Sequence, residues 1–278
     1  MSFHFGQCGI PDVVKPVLPS AKHSTKLQNN LTVCVHGALK RHFFDYHMLI
    51  EFIEVYTLFG AEKFVVYISD VDQVMDQYLK YYQSYGLLDV YLFLRPNGLT
   101  MRDQEILISD AMMRYMYRTR YLLLVNLDEI ITPYLHENLV EMVDSLECSN
   151  AYQFKFRNVF FRLEEAPDER AVSNSTLAFI KSKTLTYTKR DTFTFNYNTR
   201  AKVMVKPELV ARPSIHTMRS SFLEKDDCQV PQEVAIMHHY RNCSEINLRD
   251  KNTQTDDFLY KLKEKIVSRM LFVLQAVG

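Results

Sequence analysis

An acidic pair, Asp128 and Glu129, follows an apolar run in the middle of the chain. The run, residues 122–125 of the segment LLLVNLDEIITP, is typical of a strand buried on both faces, so the carboxylates fall where the strand leaves its sheet. Two adjacent carboxylates are costly to bury unless a cation lies between them, and a divalent ion carrying a phosphorylated ligand would meet that need. An acidic turn after a core strand is the alternative interpretation.

The segments around this pair alternate between strand and helix patterns. Leu49, Phe52, Ile53 and Tyr56 have the spacing of a helix face, and Gly60 follows as a stop. We predict strands at residues 31–37, 63–69, 89–94 and 121–126, with later helices at 71–85 and 103–117. In those two helices the residues expected to share a face are Val74, Tyr78, Tyr81 and Tyr85, and then Ile106, Leu107, Asp110 and Met113. This alternation predicts an α/β fold with a mostly parallel sheet covered by helices on both faces.

The glycines limit how a nucleotide could bind. Only seven are present, and none forms a G-x-G-x-x-G motif or a phosphate-binding loop before Lys-Ser/Thr. A nucleotide bound here would need its phosphates held by a metal on side-chain oxygens.

Composition excludes other classes of partner. Lys+Arg and Asp+Glu both number 33, so a zero net charge argues against nucleic acid or an anionic membrane surface. No apolar run approaches the roughly 20 residues that span a bilayer, and the first residues lack a secretory signal. The five cysteines contain no C-x-x-C pair, which excludes a zinc ribbon.

Six ordered blocks give a specific resemblance. They are LTVCVH, LIEFIEVYTLFGAEKFVVYIS, YYQSYGLLDVY, LLLVNLDEIITP, TRAKVMVKPELVARPSIH and VPQEVAIMHHYR, which together span residues 31–241. In order and spacing they resemble the family 92 glycosyltransferases. The resemblance implies a GT-A fold and transfer of a hexose, in characterised members galactose from UDP-galactose, to a glycan. It also implies Mn2+ or another divalent cation, and a Golgi-luminal domain on a membrane anchor that this sequence lacks.

The same resemblance implies a metal site. The family's D-x-D-type motif falls on Asn126, Leu127 and Asp128, with Glu129 as a further possible ligand. Asn126 replaces the first aspartate, and since an amide carries no charge, metal binding must depend on Asp128. A cap on the turn is the alternative role for Asn126. The second ligand corresponds to His216, which without the resemblance would be an ordinary structural histidine; His239 or water is the fallback.

Donor contacts are implied elsewhere. Arg200, Lys202 and Lys206 would share one face of a strand and meet the donor phosphates, although a solvated basic edge strand explains them almost as well. Arg241 could neutralise a diphosphate beside His239, or both could belong to a basic surface turn. The remaining candidates for donor contacts are Asp70, Gln104 and Asp110, with helix-surface solvation as the alternative for the last two.

Inversion needs a base that takes the acceptor proton, and a carboxylate is the usual choice. The sequence singles out none of the candidates, which are Glu164, Glu165, Asp168, Glu169, Asp226 and Asp227.

The organisation we expect is an extended arm or stem remnant at 1–30, the transferase domain at 31–250 and a packed amphipathic helix at 251–278. Glycosylation triplets begin at Asn30, Asn174 and Asn242. If the domain is luminal, a disulfide between Cys228 and Cys243 is permitted and would hold the histidine-rich segment near the site.

Two other functions remain open at this point. One is a catalytically weak relative that binds glycan or nucleotide without turnover, suggested by Asn126. The other is a phosphoryl-transfer enzyme using Asp128, disfavoured because Glu129, Ile130 and Ile131 form a stiff, glycine-free segment where a phosphate-binding turn would be needed.

Overall fold

The computed structural model describes residues 26–40, 45–94, 100–244 and 252–278. Residues 1–25 of the arm expected at 1–30 therefore lie outside the described residues, whereas Asn29 and Asn30 already belong to the first strand. Residues 95–99, between the strand expected at 89–94 and the helix expected at 103–117, also lie outside the described residues. The strands are β1 Asn29–Lys40, β2 Lys63–Asp70, β3 Leu88–Leu92, β4 Thr119–Val125, β5 Glu129–Pro133, β6 Ala151–Phe156, β7 Asn158–Arg162, β8 Lys189–Asp191, β9 Lys202–Val205, β10 Val210–Arg212, β11 Ser220–Ser221, β12 Asp226–Gln229, β13 Ala235–Arg241 and β14 Thr253–Thr255.

The helices begin at polar residues that cap them. Asp72 accepts a hydrogen bond from the backbone N–H of Met75, and Thr100 forms a capping box with Asp103. The helices are α1 Tyr46–Leu58, α2 Gln73–Ser84, α3 Met101–Tyr115, α4 Leu139–Ser145, α5 Glu169–Val172, α6 Ser175–Ile180, α7 Lys183–Thr186, α8 Phe258–Lys261 and α9 Lys263–Val277.

The larger sheet has the order β12-β6-β9-β4-β1-β2-β3. Every strand in it except β9 runs in the same direction, because β9 pairs antiparallel with both β4 and β6. The carboxyl ends of β4, β1 and β6 therefore lie at the same end of the sheet, together with the amino end of β9. A second sheet, β14-β8-β7-β13-β5, continues from this edge because β5 starts directly after the turn that ends β4.

Two hydrophobic cores cover the faces of the larger sheet. One contains side chains of α1, α2 and α9, such as Phe52, Tyr82 and Met270, and the other contains those of α3, such as Leu107 and Met112. The expected α/β architecture, a mostly parallel sheet with helices on both faces, is confirmed. Residues 122–125 are fully buried, so the prediction of a strand buried on both faces is also correct.

The faces predicted for two helices were partly wrong. In α2 the buried residues include Met75, Leu79 and Tyr82, whereas Val74 is 45% exposed and Tyr85, just past the helix end, is 70% exposed. In α3, Ile106 is 51% exposed while its neighbour Leu107 is buried. Tyrosine and isoleucine occur on both sides of these helices, so the 3.6-residue period alone did not fix which side meets the sheet.

The predicted Cys228–Cys243 disulfide is wrong. Cys228 bonds to Cys148 instead, with 5.9 Å between their Cα atoms, and Cys243 is a buried free thiol. Strand β12 pairs with β6, so Cys228 faces the chain entering β6, whereas Cys243 lies beyond β13 in the second sheet. Sequence proximity was a poor guide because the chain changes sheets between the two cysteines.

The C-terminal helix packs on the domain. Ile266 and Met270 of α9 are fully buried, and Arg269 forms a 2.8 Å ion pair with Glu54 of α1. Within the described ranges, no helix has both the length and the apolar character needed to cross a bilayer.

Candidate active site

The turn that links β4 to β5 carries the acidic pair. The N–H of Glu129 donates to the carbonyl of Asn126 at 3.2 Å, and the N–H of Asn126 donates to Oε2 of Glu129 at 2.6 Å. Gly37 of β1 lies alongside, where an added Cβ would come within 3.4 Å of Oδ1 of Asn126. The Glu129 carboxylate thus closes the turn through the backbone of Asn126, whereas the amide of Asn126 lies against β1 with its Nδ2 3.4 Å from Oε1 of Glu129.

A buried ion pair lies behind this turn. Nζ of Lys202 lies 3.2 Å from Oε2 of Glu129, and both side chains are only 2% exposed. The same ammonium is 2.9 Å from Nε2 of His36, which is also fully buried. Burial, and then the charge of Lys202, hold the pKa of His36 well below its ordinary value, so the ring is neutral and accepts the hydrogen bond.

His239 has one carboxylate near each of its ring nitrogens. Its Nε2 lies 3.2 Å from Oδ2 of Asp128, and its Nδ1 lies 3.7 Å from Oε1 of Glu129. Across the described part of the chain, Asp128, Glu129 and His239 form a group whose possible ligand atoms all lie within 4.8 Å of one another. Burial opposes ionisation of Asp128, but His239 and Lys202 outweigh it and lower the pKa of that carboxyl. Asp128 is thus a carboxylate at neutral pH.

The donor set of this group suits a divalent cation. Carboxylate oxygens and a neutral imidazole are accepted together by Mn2+ and by similar ions. The side chain of Asp128 is 25% exposed, so an ion can reach it from solvent, whereas Glu129 is already paired. The residues therefore fit the cation that the sequence implied, with Asp128 as the accessible ligand.

Two arginines flank the histidine. The guanidinium carbons of Arg200 and Arg241 lie 5.7 and 5.9 Å from the ring centre of Phe160, which itself packs 5.3 Å from the His239 ring. Both arginine side chains are half-buried, and Arg200 has a φ of 56°, a left-handed conformation that is rare for a residue with a Cβ. Cations held in this way could meet an anionic ligand bound beside Asp128.

The predicted alignment of basic residues on β9 is only partly correct. Lys202 begins the strand, but Arg200 precedes it and Lys206 follows its last residue, Val205. Because β9 lies between β4 and β6, it is not an edge strand, and the solvated-edge explanation is wrong. Lys202 points beneath the acidic turn, while Lys206 lies above the Phe154 ring.

His216 lies near the site without joining the group around Asp128. Its Nδ1 is 3.1 Å from the carbonyl of Ala201, so Nδ1 donates and Nε2 keeps its lone pair. Burial, followed by the positive charge of Lys202, lowers the pKa of His216, and the ring is neutral at pH 7. The assignment of His216 as a metal ligand stays a prediction.

The other predicted donor contacts lie along the same sheet and its neighbouring helix. Asp70 is exposed at the carboxyl end of β2, and Gln104 is half-buried in the first turn of α3. Asp110 accepts hydrogen bonds from the hydroxyl of Tyr67 at 2.7 Å and from Nε of Arg114 at 2.6 Å. Asp110 is thus engaged within the protein on the α3 side of the sheet.

The candidate bases are separated by the topology. Asp226 and Asp227 begin β12, which runs in the same direction as β4. They therefore lie towards the opposite end of the sheet from the acidic turn. Asp168 caps α5 and pairs with Arg170 at 2.6 Å, which holds the pKa of Asp168 well below its usual value. Glu165 is exposed, and Glu169 is exposed in the first turn of α5.

Glu164 lies two residues beyond β7, the strand that pairs with the His239 strand. It follows β7, which runs parallel to β13, and it accepts a hydrogen bond from the N–H of Cys243 at 2.9 Å. His239 of β13 contacts Asp128, and the carboxyl ends of β7 and β13 lie on that side of the second sheet.

Sequence reasoning missed several residues of the site. His36 ends the core part of β1, and the rule that ligands collect at carboxyl ends of strands could have identified it. Asn158, whose Nδ2 lies 3.4 Å from Nδ1 of His239, and Phe160 belong to β7, which the sequence did not distinguish from other apolar segments.

The fold and this site together define an α/β protein with a carboxylate–histidine group and two half-buried arginines where its central strands end. Its sequence matches the model of glycosyltransferase family 92 over residues 29–270, and the chain belongs to that family. The family resemblance is thereby confirmed.

One relative is the beta-1,4-galactosyltransferase galt-1 of Caenorhabditis elegans, 30% identical over 122 residues. The match covers 42% of this chain and 28% of the relative, so the chain spans less than a third of that protein.

Solved structures show weaker similarity. The galactosyltransferase LgtC with donor and acceptor sugar analogs is 7% identical, with 64% of this chain and 58% of that chain covered and a TM-score of 0.30. TarS of S. aureus with UDP-GlcNAc is 12% identical, with 77% and 58% covered and a TM-score of 0.36. Glucosyl-3-phosphoglycerate synthase of Mycobacterium tuberculosis, with Mn2+ and UDP, is 10% identical, with 98% and 86% covered and a TM-score of 0.35. Scores this low carry no argument about ligands of this chain.

Proposed function

We propose that this glycosyltransferase moves a hexose, galactose in the first instance, from a UDP-sugar to a glycan acceptor with inversion and with the help of Mn2+ or a similar cation. The observation that carries the proposal is the contact between Asp128 and His239 at the carboxyl edge of the sheet. The galactosyltransferase relative supports the choice of sugar. The chain has no glycine-rich phosphate loop, so side chains must provide the phosphate site.

The residues have separate tasks in this reaction. Asp128 and His239 would hold the cation, with His216 as a further candidate ligand, and the bound ion would supply positive charge to the diphosphate as it leaves. Arg200 and Arg241 would bind the phosphate oxygens from the Phe160 side of the site.

Glu164 is our choice of acceptor base. It is an exposed carboxylate next to the end of β13, where an acceptor could approach the donor from solvent. Glu164→Gln should lower kcat by a factor of about 10² to 10⁴, the usual contribution of a general base, with little change in UDP affinity. Glu165→Gln, a change in the exposed neighbouring carboxylate, is the matched control. Equal rates in the two variants would exclude Glu164 as the base.

A second function is favoured by one observation. Asn126 stands where the resembling family has an aspartate, and its backbone N–H donates to the Glu129 carboxylate. With one negative charge fewer, the site would bind the cation more weakly, as expected for a relative that binds nucleotide or glycan without turnover.

The compartment is also part of the proposal. The Cys148–Cys228 disulfide is the kind of bond that persists in an oxidising lumen such as that of the secretory pathway. Asn30 and Asn242 are exposed asparagines in glycosylation triplets. Both features suit a luminal glycoprotein, and the Golgi location and membrane association are those that the family resemblance implies.

A transfer assay separates the two functions. Radiolabelled UDP-sugars, starting with UDP-galactose, are incubated with the protein in Mn2+ or in a chelator, and both hydrolysis and transfer to glycans are measured. Turnover that needs Mn2+ and disappears in Asp128→Asn supports the leading function. Asp76→Asn, on the exposed surface of α2, is the control variant. UDP binding without turnover of any sugar would favour the weak relative, and turnover unaffected by the chelator would exclude the metal.

A further inference from the structure

Glu129 is already engaged by the protein. Its Oε2 accepts the 2.6 Å hydrogen bond from the N–H of Asn126 and lies 3.2 Å from Nζ of Lys202. The carboxylate and the ammonium are each 2% exposed, so neither has water as a replacement partner. A divalent ion seated on Glu129 would approach the Lys202 ammonium, and two cations repel strongly when they are removed from solvent.

His239 lies between the two carboxylates, with a different one at each ring nitrogen. Nε2 is 3.2 Å from Oδ2 of Asp128 on the accessible side, and Nδ1 is 3.7 Å from Oε1 of Glu129 on the buried side. Nδ2 of Asn158, at 3.4 Å, is the competing partner of Nδ1. Histidines that bind a metal through one ring nitrogen usually donate the other N–H to a carboxylate, which fixes the tautomer and the ring orientation.

We propose that Glu129 is a positioning residue and not a metal ligand. Held in place by Lys202, it takes the Nδ1–H of His239 when the ion binds, closing the present 3.7 Å separation and replacing the contact with Nδ2 of Asn158, so that the lone pair of Nε2 faces the ion beside Asp128. The arrangement is a carboxylate–histidine–metal series, in which Lys202 keeps the carboxylate directed at the ring. This inference rests on the proposed metal-dependent function and assigns roles within that site.

Mn2+ binding tests the assignment without any need for turnover. Free Mn2+ is measured by electron paramagnetic resonance in the presence of UDP, for the wild type, Asp128→Asn and Glu129→Gln. We expect Asp128→Asn to weaken binding at least a hundredfold, because it removes the charged ligand. Glu129→Gln should weaken it by roughly tenfold, the lower end of the range for residues behind a metal ligand. Equal losses in the two variants would overturn the inference.

A structure with Mn2+ and UDP bound provides the direct measurement. Oxygens of Asp128 and Nε2 of His239 should lie at about 2.1 Å from the ion, and both Glu129 oxygens beyond roughly 3 Å, with Nδ1 of His239 within hydrogen-bonding distance of Glu129. A Glu129 oxygen at about 2.1 Å from the ion would make it a ligand and refute the proposal.

Two controls keep the outcomes distinct. If Glu129→Gln unfolds because it leaves Lys202 unpaired, the double variant Glu129→Gln/Lys202→Met removes both charges and is measured in its place, with the same expected loss. If the wild type binds no Mn2+ with UDP present, the proposed metal-dependent function fails together with this inference. If the wild type binds Mn2+ and Glu129 proves to be a ligand, only the inference fails.

Discussion

Replacing Lys202 with methionine should destabilise the protein strongly even in the absence of any ligand. The ammonium lies 3.2 Å from Oε2 of Glu129, and both side chains are 2% exposed. With an effective dielectric constant of ~20, two unit charges at that separation attract each other by about 5 kcal/mol. Breaking a buried pair by removing one partner typically costs about 3–5 kcal/mol, because the remaining charge is left buried without compensation.

We therefore expect Lys202→Met to lower the free energy of unfolding by about 3–5 kcal/mol, a large part of the total stability of an ordinary domain. The double variant Glu129→Gln/Lys202→Met leaves no unpaired charge and should recover most of this loss. Equilibrium unfolding in urea, with a chelator present so that metal binding does not contribute, measures all three proteins.

Lys80→Met is the matched control. Its ammonium lies only 2.6 Å from Asp76, but the lysine side chain is 72% exposed, and pairs of this kind contribute about 0.3–0.5 kcal/mol. If burial decides the energy, the longer Lys202–Glu129 pair should be the more costly to break. A loss below about 1 kcal/mol for Lys202→Met, or a double variant no more stable than the single one, would refute the reasoning.

Three further results are expected. Burial lowers the pKa of His238 to about 4, so between this value and about pH 6.5 the unfolded chain binds a proton at His238 and the folded chain does not. The free energy of unfolding should therefore fall as the pH drops from about 6.5 to about 4, by up to roughly 3 kcal/mol. Urea unfolding of His238→Phe should show a shallower pH dependence. Changing Cys148 and Cys228 to serine opens a loop with a sequence separation of 80 and should lower the free energy of unfolding by about 4.5 kcal/mol in the chain-entropy model. A change below about 1 kcal/mol in urea unfolding would contradict this expectation. His216→Ala should weaken Mn2+-dependent activity, with partial recovery at high Mn2+. Because burial and Lys202 lower the pKa of His216, wild-type activity should persist somewhat below pH 6.5 and then fall as the ring takes up a proton. Full activity of the variant at low Mn2+ would identify a structural histidine.

Local patterns in the sequence were enough to predict the strand and turn at the centre of the site. Residues 122–125 form an uninterrupted apolar run, and the requirement that such a strand be buried on both faces placed Asp128 at the end of the sheet. Gly60, predicted as a helix stop, has a φ of 87° and likewise acts within a few residues of its own position. These features depend on neighbouring residues, so a single sequence contains the information.

Contacts between distant strands were not accessible in the same way. His239 meets Asp128 across 111 positions because β13 pairs with β5, and no local pattern specifies that pairing. The disulfide failed for the same reason, since Cys148 and Cys228 are joined through the pairing of β12 with β6. Only the family resemblance placed the segment around His239 among the candidates for the site.

Lys202 shows how a residue on a predicted strand can have a different role from the expected one. Its position on the same face as Lys206 was predicted, but the interior location of β9 turns it from a solvent-facing cation into a buried partner of Glu129. The initial argument held that two adjacent carboxylates need a cation between them. The chain itself supplies one positive charge, at Glu129, which leaves Asp128 as the carboxylate that is free to take a cation from solution. An acidic turn of this composition can therefore fold before any ligand arrives and still offer one charged ligand to a metal.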